Sequence, residues 1–101
     1  MKVAVVGAGG IGGYLAVRLA AAGNSVSVVA RGAHLEVIRA QGLTLEEAGG
    51  KTTTVTIPAA ADPAELDPAD LVIFAVKGHQ LDAAMEAARP LMARGGVALP
   101  I

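Results

Sequence analysis

Residues 1–13 read Met-Lys-Val-Ala-Val-Val-Gly-Ala-Gly-Gly-Ile-Gly-Gly, a short apolar run that passes straight into Gly-x-Gly-x-x-Gly spacing at Gly7, Gly9 and Gly12. Each of the three glycines has its own physical job. The first permits the tight turn leaving a strand, the second lets backbone approach a diphosphate, and the third lets the next helix pack closely on the strand. A helix starting near Gly9 aims its unpaired N–H groups and positive dipole end at a pyrophosphate, so the lack of a lysine in the turn is no objection. Gly7, Ala8, Gly9, Gly10, Ile11 and Gly12 are therefore the candidate residues for receiving a dinucleotide.

Thirteen glycines in 101 residues can produce such spacing by chance, so the flanking sequence decides. Lys2 to Val6 reads as a buried strand. Ile11, Leu15, Leu19 and Ala22 then fall on one face of a helix that Gly23-Asn24 ends. A second strand, Ser25 to Val29, follows at once, and the whole unit has the length and order of a βαβ dinucleotide unit. The position that discriminates between cofactors is Arg31, at the carboxyl end of this second strand. NAD-preferring sites place an acid there to accept from the ribose 2′-OH, whereas a guanidinium binds the 2′-phosphate of NADP through paired hydrogen bonds. Val29-Ala30-Arg31-Gly32 contains no acid, which favours NADP. Arg39 could assist, but its place on a helix fits a solvent-facing charge.

Composition supports an α/β chain. Hydrophobic residues make up 53% and aromatics 2%, so the core is built from Ala, Val, Leu and Ile, as suits parallel strands covered by alanine-rich helices. The net charge is −1 with basic residues scattered singly, which argues against a nucleic-acid partner. No cysteine is present, which excludes disulfides and thiolate metal sites. Arg18 and Asn24 interrupt the N-terminal apolar stretch as a membrane span, and its glycines make a poor signal helix. The expectation is a cytoplasmic protein without a membrane partner. At 101 residues the chain is short for a complete doubly wound fold, and it stops as a new apolar strand begins near Val97. It reads as the incomplete nucleotide-binding half of a longer protein, with an open sheet edge that invites self-association, as a homodimer or as aggregation.

Downstream, Ala33 to Ala40 carries Leu35 and Ile38 at helical spacing. Leu43 to Leu45 and Lys51 to Ile57 suggest a hairpin with a polar tip. Thr52, Thr53, Thr54 and Thr56 are explained as β-branched residues on a half-exposed strand. Pro63 to Leu66 fits a short helical turn. Leu71 to Val76 is the most apolar run and a candidate central parallel strand, delivering Lys77-Gly78-His79-Gln80 to the sheet edge where such folds bind ligands. Leu81, Met85, Ala88 and Met92 form a helical apolar face that Arg89-Pro90 kinks or ends. Lys77 is a candidate for contact with the cofactor or a carboxylate substrate. His79 lacks an identified partner as a proton donor, and His34 ranks below it. No paired carboxylates, nucleophile elbow or metal cluster is evident, so no catalytic residue is assigned.

Gly7-Ala8-Gly9-Gly10-Ile11-Gly12-Gly13-Tyr14, then Ala30-Arg31, the hairpin, and Ala75-Val76-Lys77 with Gln80 together resemble the N-terminal domain of the ketopantoate reductase (2-dehydropantoate 2-reductase) family over the whole chain. The resemblance implies a Rossmann-type doubly wound sheet and, in the parent enzyme, hydride transfer from NADPH to 2-dehydropantoate, giving pantoate for coenzyme A synthesis. It also implies that Gly7 to Gly12 hold the pyrophosphate, Arg31 holds the 2′-phosphate, Lys77 lies near the nicotinamide side and Gln80 shapes the loop. The family's Asn-Gly motif after the strand near Val97 and its helical C-terminal domain, with the general-acid lysine, are absent from residues 1–101. The 101 residues alone are therefore expected to bind cofactor without turnover. An oxidoreductase acting on a related oxo or hydroxy acid, and a non-catalytic NADP-binding module, stay open beside this reading.

Overall fold

A computed structural model of the chain describes residues 1–101. The apolar run at the start forms strand β1 (Lys2–Val6), and helix α1 (Gly10–Ala21) and strand β2 (Ser25–Val29) follow it. Helix α2 (Gly32–Gln41) leads into an antiparallel hairpin of β3 (Leu43–Glu46) and β4 (Thr52–Val55). The chain then passes through β5 (Ala59–Ala60), a 3₁₀ turn at Pro63–Glu65, and β6 (Leu71–Phe74). A second 3₁₀ turn at Gly78–Gln80 leads into α3 (Leu81–Ala87), a third 3₁₀ turn at Arg89–Met92 and β7 (Val97–Pro100).

Five strands form one sheet in the order β5-β2-β1-β6-β7, and every pairing in it is parallel. The chain moves outward from β1 through β2 to β5, then crosses over to β6 and β7. Its topological switch point therefore lies between β1 and β6, the crevice where open α/β sheets bind ligands. Alternation along β1 explains why it is apolar from Val3 to Val6. Val3 and Val5 join a core with Ala16, Val17, Leu35 and Ile38 on one face, while Ala4 and Val6 join Phe74, Ala88 and Leu91 on the other. No helix is long and apolar enough to cross a membrane.

The expected elements are present with three informative differences. On α1, the residues that reach the sheet are Gly12, Ala16 and Val17, while Ile11 is 63% exposed and Ala22 is exposed. Leu15 and Leu19 are only partly buried. Close helix–strand approach selects the smallest side chains for the contact, so the buried face is rotated from the one marked by the largest apolar residues. Near the third helix, Pro90 ends α3 and the chain continues as a 3₁₀ turn in which the Leu91 amide donates to the Ala88 carbonyl (2.9 Å). The shorter period makes Leu91 fully buried, whereas Met92, expected on the core face, is only partly so. Lastly, β5 carries no strand signal in its two alanines. It forms because β2 offers an unpaired edge, where the Val28 and Ala30 amides donate to the Pro58 and Ala60 carbonyls (3.0 and 3.1 Å).

The hairpin packs over α1, placing Leu43 in the core with Leu45 and Val55 partly buried beside it. Thr52, Thr53 and Thr54 lie on β4, as read from the sequence, and Thr54 pairs across the hairpin with Thr44, their hydroxyls hydrogen-bonding at 2.8 Å. Arg39, on α2, is exposed and donates from Nε to the Ala59 carbonyl (3.1 Å), tying the helix to β5.

Candidate dinucleotide site

The turn between β1 and α1 is fixed by steric exclusion. Gly7 has φ +96°, and a Cβ built there would lie 2.7 Å from the Ala75 carbonyl oxygen. Its amide is held by the Val29 carbonyl (3.0 Å), and the Ala75 amide by the Val6 carbonyl (2.9 Å), so the turn is wedged between the ends of β2 and β6. At Gly12 a Cβ would run into the Gly7 carbonyl and lie 2.9 Å from the Ala75 side chain. Both residues must be glycine for the protein's own packing.

Gly9 differs. Its backbone is extended (φ −82°, ψ 156°), a conformation open to any residue, and a Cβ there would meet nothing within 4 Å. Gly9 caps α1 without a side-chain hydrogen bond, and the helix has no acid in its first turn. None of the turn and loop hydrogen bonds is donated by the Ala8, Gly9, Gly10 or Ile11 amides, while the Gly12 amide turns back to the Gly9 carbonyl (3.1 Å). Bare backbone facing open space at a helix N-terminus is a cradle that fits a diphosphate.

Beside this turn lies a cavity of about 710 Å³, large enough for a nucleotide. Its floor comes from the ends of the strands and the turn: Val6, Gly7, Ala8, Val29 and Ala30. Arg31 and His34 line it from the start of α2, and Val76, His79 and Gln80 from the segment after β6. Ala83, Ala84 and Ala87 of α3, with Ala61 and Pro63, complete the wall. No carboxylate lines it. A smaller cavity of about 140 Å³, bordered by Lys2, Ser25 and Asp67, sits at the opposite, amino-terminal ends of the strands and is too small for a dinucleotide.

The structure thus gathers Gly7, Ala8, Arg31 and Gln80, while Gly9, Gly10, Ile11 and Gly12 stand outside the lining at the head of α1. Lys77, exposed between two lining stretches, precedes the 3₁₀ turn as its cap residue and is not itself in the lining. Arg31 is exposed and makes neither an ion pair nor a side-chain hydrogen bond. The two ion pairs of the molecule are Arg18–Glu47 (2.9 Å) and Arg89–Glu86 (3.3 Å). Sequence reasoning ranked both histidines low, yet both line the cavity. For His34 a signal exists, since it lies three residues after Arg31 in the first turn of the same helix. His79 is brought to the site only by sheet topology.

A parallel sheet, a glycine turn at its switch point and a cavity over the carboxyl ends of its strands define a Rossmann-type α/β domain. Residues 3–101 match the model of the ketopantoate reductase PanE/ApbA family, and the chain belongs to that family. The 2-dehydropantoate 2-reductase of Mesorhizobium japonicum is 48% identical over 93 residues, an alignment covering 91% of this chain and 28% of that protein. The crystal structure of a PanE/ApbA family ketopantoate reductase from Ralstonia eutropha JMP134 superposes with a TM-score of 0.88 at 39% identity, over 97% of this chain and 33% of that one. D-mandelate dehydrogenase in a ternary structure with NADH and anilino(oxo)acetate gives a TM-score of 0.85 at 28% identity, over 100% and 33%. The chain therefore spans about three tenths of the length of these relatives.

Proposed function

We propose that this chain is the NADPH-binding domain of a 2-dehydropantoate 2-reductase acting in the cytoplasm, with 2-dehydropantoate, a small 2-oxo acid, as the substrate of the whole enzyme. The observation that carries the reading is the pairing of an open glycine turn with a carboxylate-free cavity whose guanidinium, Arg31, has no partner within the protein. In this reading the backbone from Gly7 to Gly12 receives the pyrophosphate and Arg31 the 2′-phosphate. Gln80 shapes the wall beyond β6, and Lys77 stands toward the nicotinamide end. Bound NADPH supplies the hydride. The residues of this chain supply position and charge complementarity, and the apolar lining from Val6, Val29 and Val76 excludes water from the nucleotide's inner face.

Calorimetric titration with NADPH and NADH, repeated with Arg31→Ala, tests the assignment. A preference for NADPH that disappears in the variant supports it, and binding without preference removes Arg31 from its role. Binding without turnover is expected of the 101 residues, because ketone positioning and alkoxide protonation both call for dedicated groups. Reduction of 2-dehydropantoate by this chain alone would overturn that expectation. The similarity to D-mandelate dehydrogenase favours a second reading, in which the whole enzyme takes another 2-oxo acid; a panel of 2-oxo acids assayed with the whole enzyme separates the two. Self-association through the edge strand β7, where Val97 and Leu99 are exposed, is proposed as well. Light scattering that finds a clean monomer at high concentration would remove it.

A further inference from the structure

His34 has no place in the reading above, although it shares the cavity wall with Arg31. We propose that His34 is a second donor to the 2′-phosphate, acting beside Arg31, and that it sets the preference for a 2′-phosphorylated nucleotide over its unphosphorylated counterpart. The inference rests on the NADPH reading and deepens it.

Three observations carry it. Arg31 and His34 lie three residues apart where α2 begins, and both line the cavity at the carboxyl end of β2. Both side chains are exposed, and neither is engaged in a hydrogen bond or an ion pair within the protein, so their donors are free for a ligand. The rest of the wall offers a phosphate no competing acid. A terminal phosphate presents three oxygens. A guanidinium binds two of them through its fork, and an imidazole N–H satisfies the third.

A structural role for His34 would not discriminate between ligands, whereas a donor to the 2′-phosphate affects only the ligand that carries it. His79 and Gln80, from the turn after β6, line the same cavity, and no carboxylate does. Asp62, between Ala61 and Pro63, stands outside the lining, and its carboxylate accepts from the Ala64 amide (3.0 Å).

The test titrates the protein with 2′,5′-ADP and with 5′-AMP in the wild type, His34→Ala and His34→Gln, with a thermal scan of each. In the wild type, 2′,5′-ADP should be preferred. His34→Ala should lower the preference about tenfold at an unchanged melting temperature. His34→Gln, which keeps a donor, should retain part of the preference. An unchanged preference in His34→Ala overturns the proposal while leaving Arg31's role standing. So does an equal loss of both ligands. Wild-type protein that binds neither ligand overturns this proposal and the NADPH reading together.

Discussion

The two turns that border the cavity are built on opposite physical grounds. The turn from β1 to α1 is determined by the protein's own packing: at Gly7 and Gly12 any Cβ collides with the carbonyls of Ala75 or Gly7. The turn from β2 to α2 is sterically free, with Arg31 and His34 exposed and without partners in the fold. Changes in the first turn should therefore register as stability, and changes in the second as ligand selectivity. Gly9 crosses the division, since it belongs to the first turn yet nothing in the protein requires it to be glycine.

The largest effect is expected from Gly12→Ala, whose methyl group has no room between the Gly7 carbonyl and Ala75. It should cost on the order of 3 kcal/mol, a large share of the stability of a domain of this size, as read from denaturant midpoints. A variant as stable as the wild type would mean that the turn is looser than its geometry implies. Arg31→Ala should leave the unfolding transition in place and remove ~2 kcal/mol from binding of NADPH but not of NADH, measured by calorimetry. A matching loss for NADH would show that the second turn, too, is structural.

Gly9→Ala is the sharper probe, because it separates the motif from the packing. Stability should stay within ~0.5 kcal/mol, since the backbone there is extended and the space is open, while NADPH affinity falls about tenfold as the methyl group keeps the pyrophosphate off the backbone. Full affinity in this variant would place the diphosphate elsewhere. The smallest change is expected for Arg18→Ala, which breaks the ion pair to Glu47 between α1 and the hairpin. That pair is solvent-exposed on the arginine side and should contribute ~0.5 kcal/mol, less at high salt. A larger loss would identify the hairpin as a true brace of the glycine turn.

The β1, α1 and β2 boundaries were legible in the sequence because local signals agree there: an apolar run, three spaced glycines, and a helix closed by Gly23, which has φ +99°. The position of Arg31 was legible too, because it follows directly from where β2 ends. The buried face of α1 was not, since the contact with the sheet selected Gly12, Ala16 and Val17 for their small size over Ile11 and Leu15. Leu91 was missed because a change of helical period after Pro90 moved the core position by one residue. In β5, two alanines acquired strand structure only from the edge beside them.

By itself the sequence determined a dinucleotide-type βαβ unit, its strand ends and the absence of an acid after β2, because each of these is written within a few tens of residues. The tertiary structure decided that β6 lies next to β1, which places the switch point at the glycine turn. It also decided that His34 and His79, from separate parts of the chain, face one cavity with Arg31. Contacts between such distant segments depend on strand order and helix packing, which no local pattern of residues encodes.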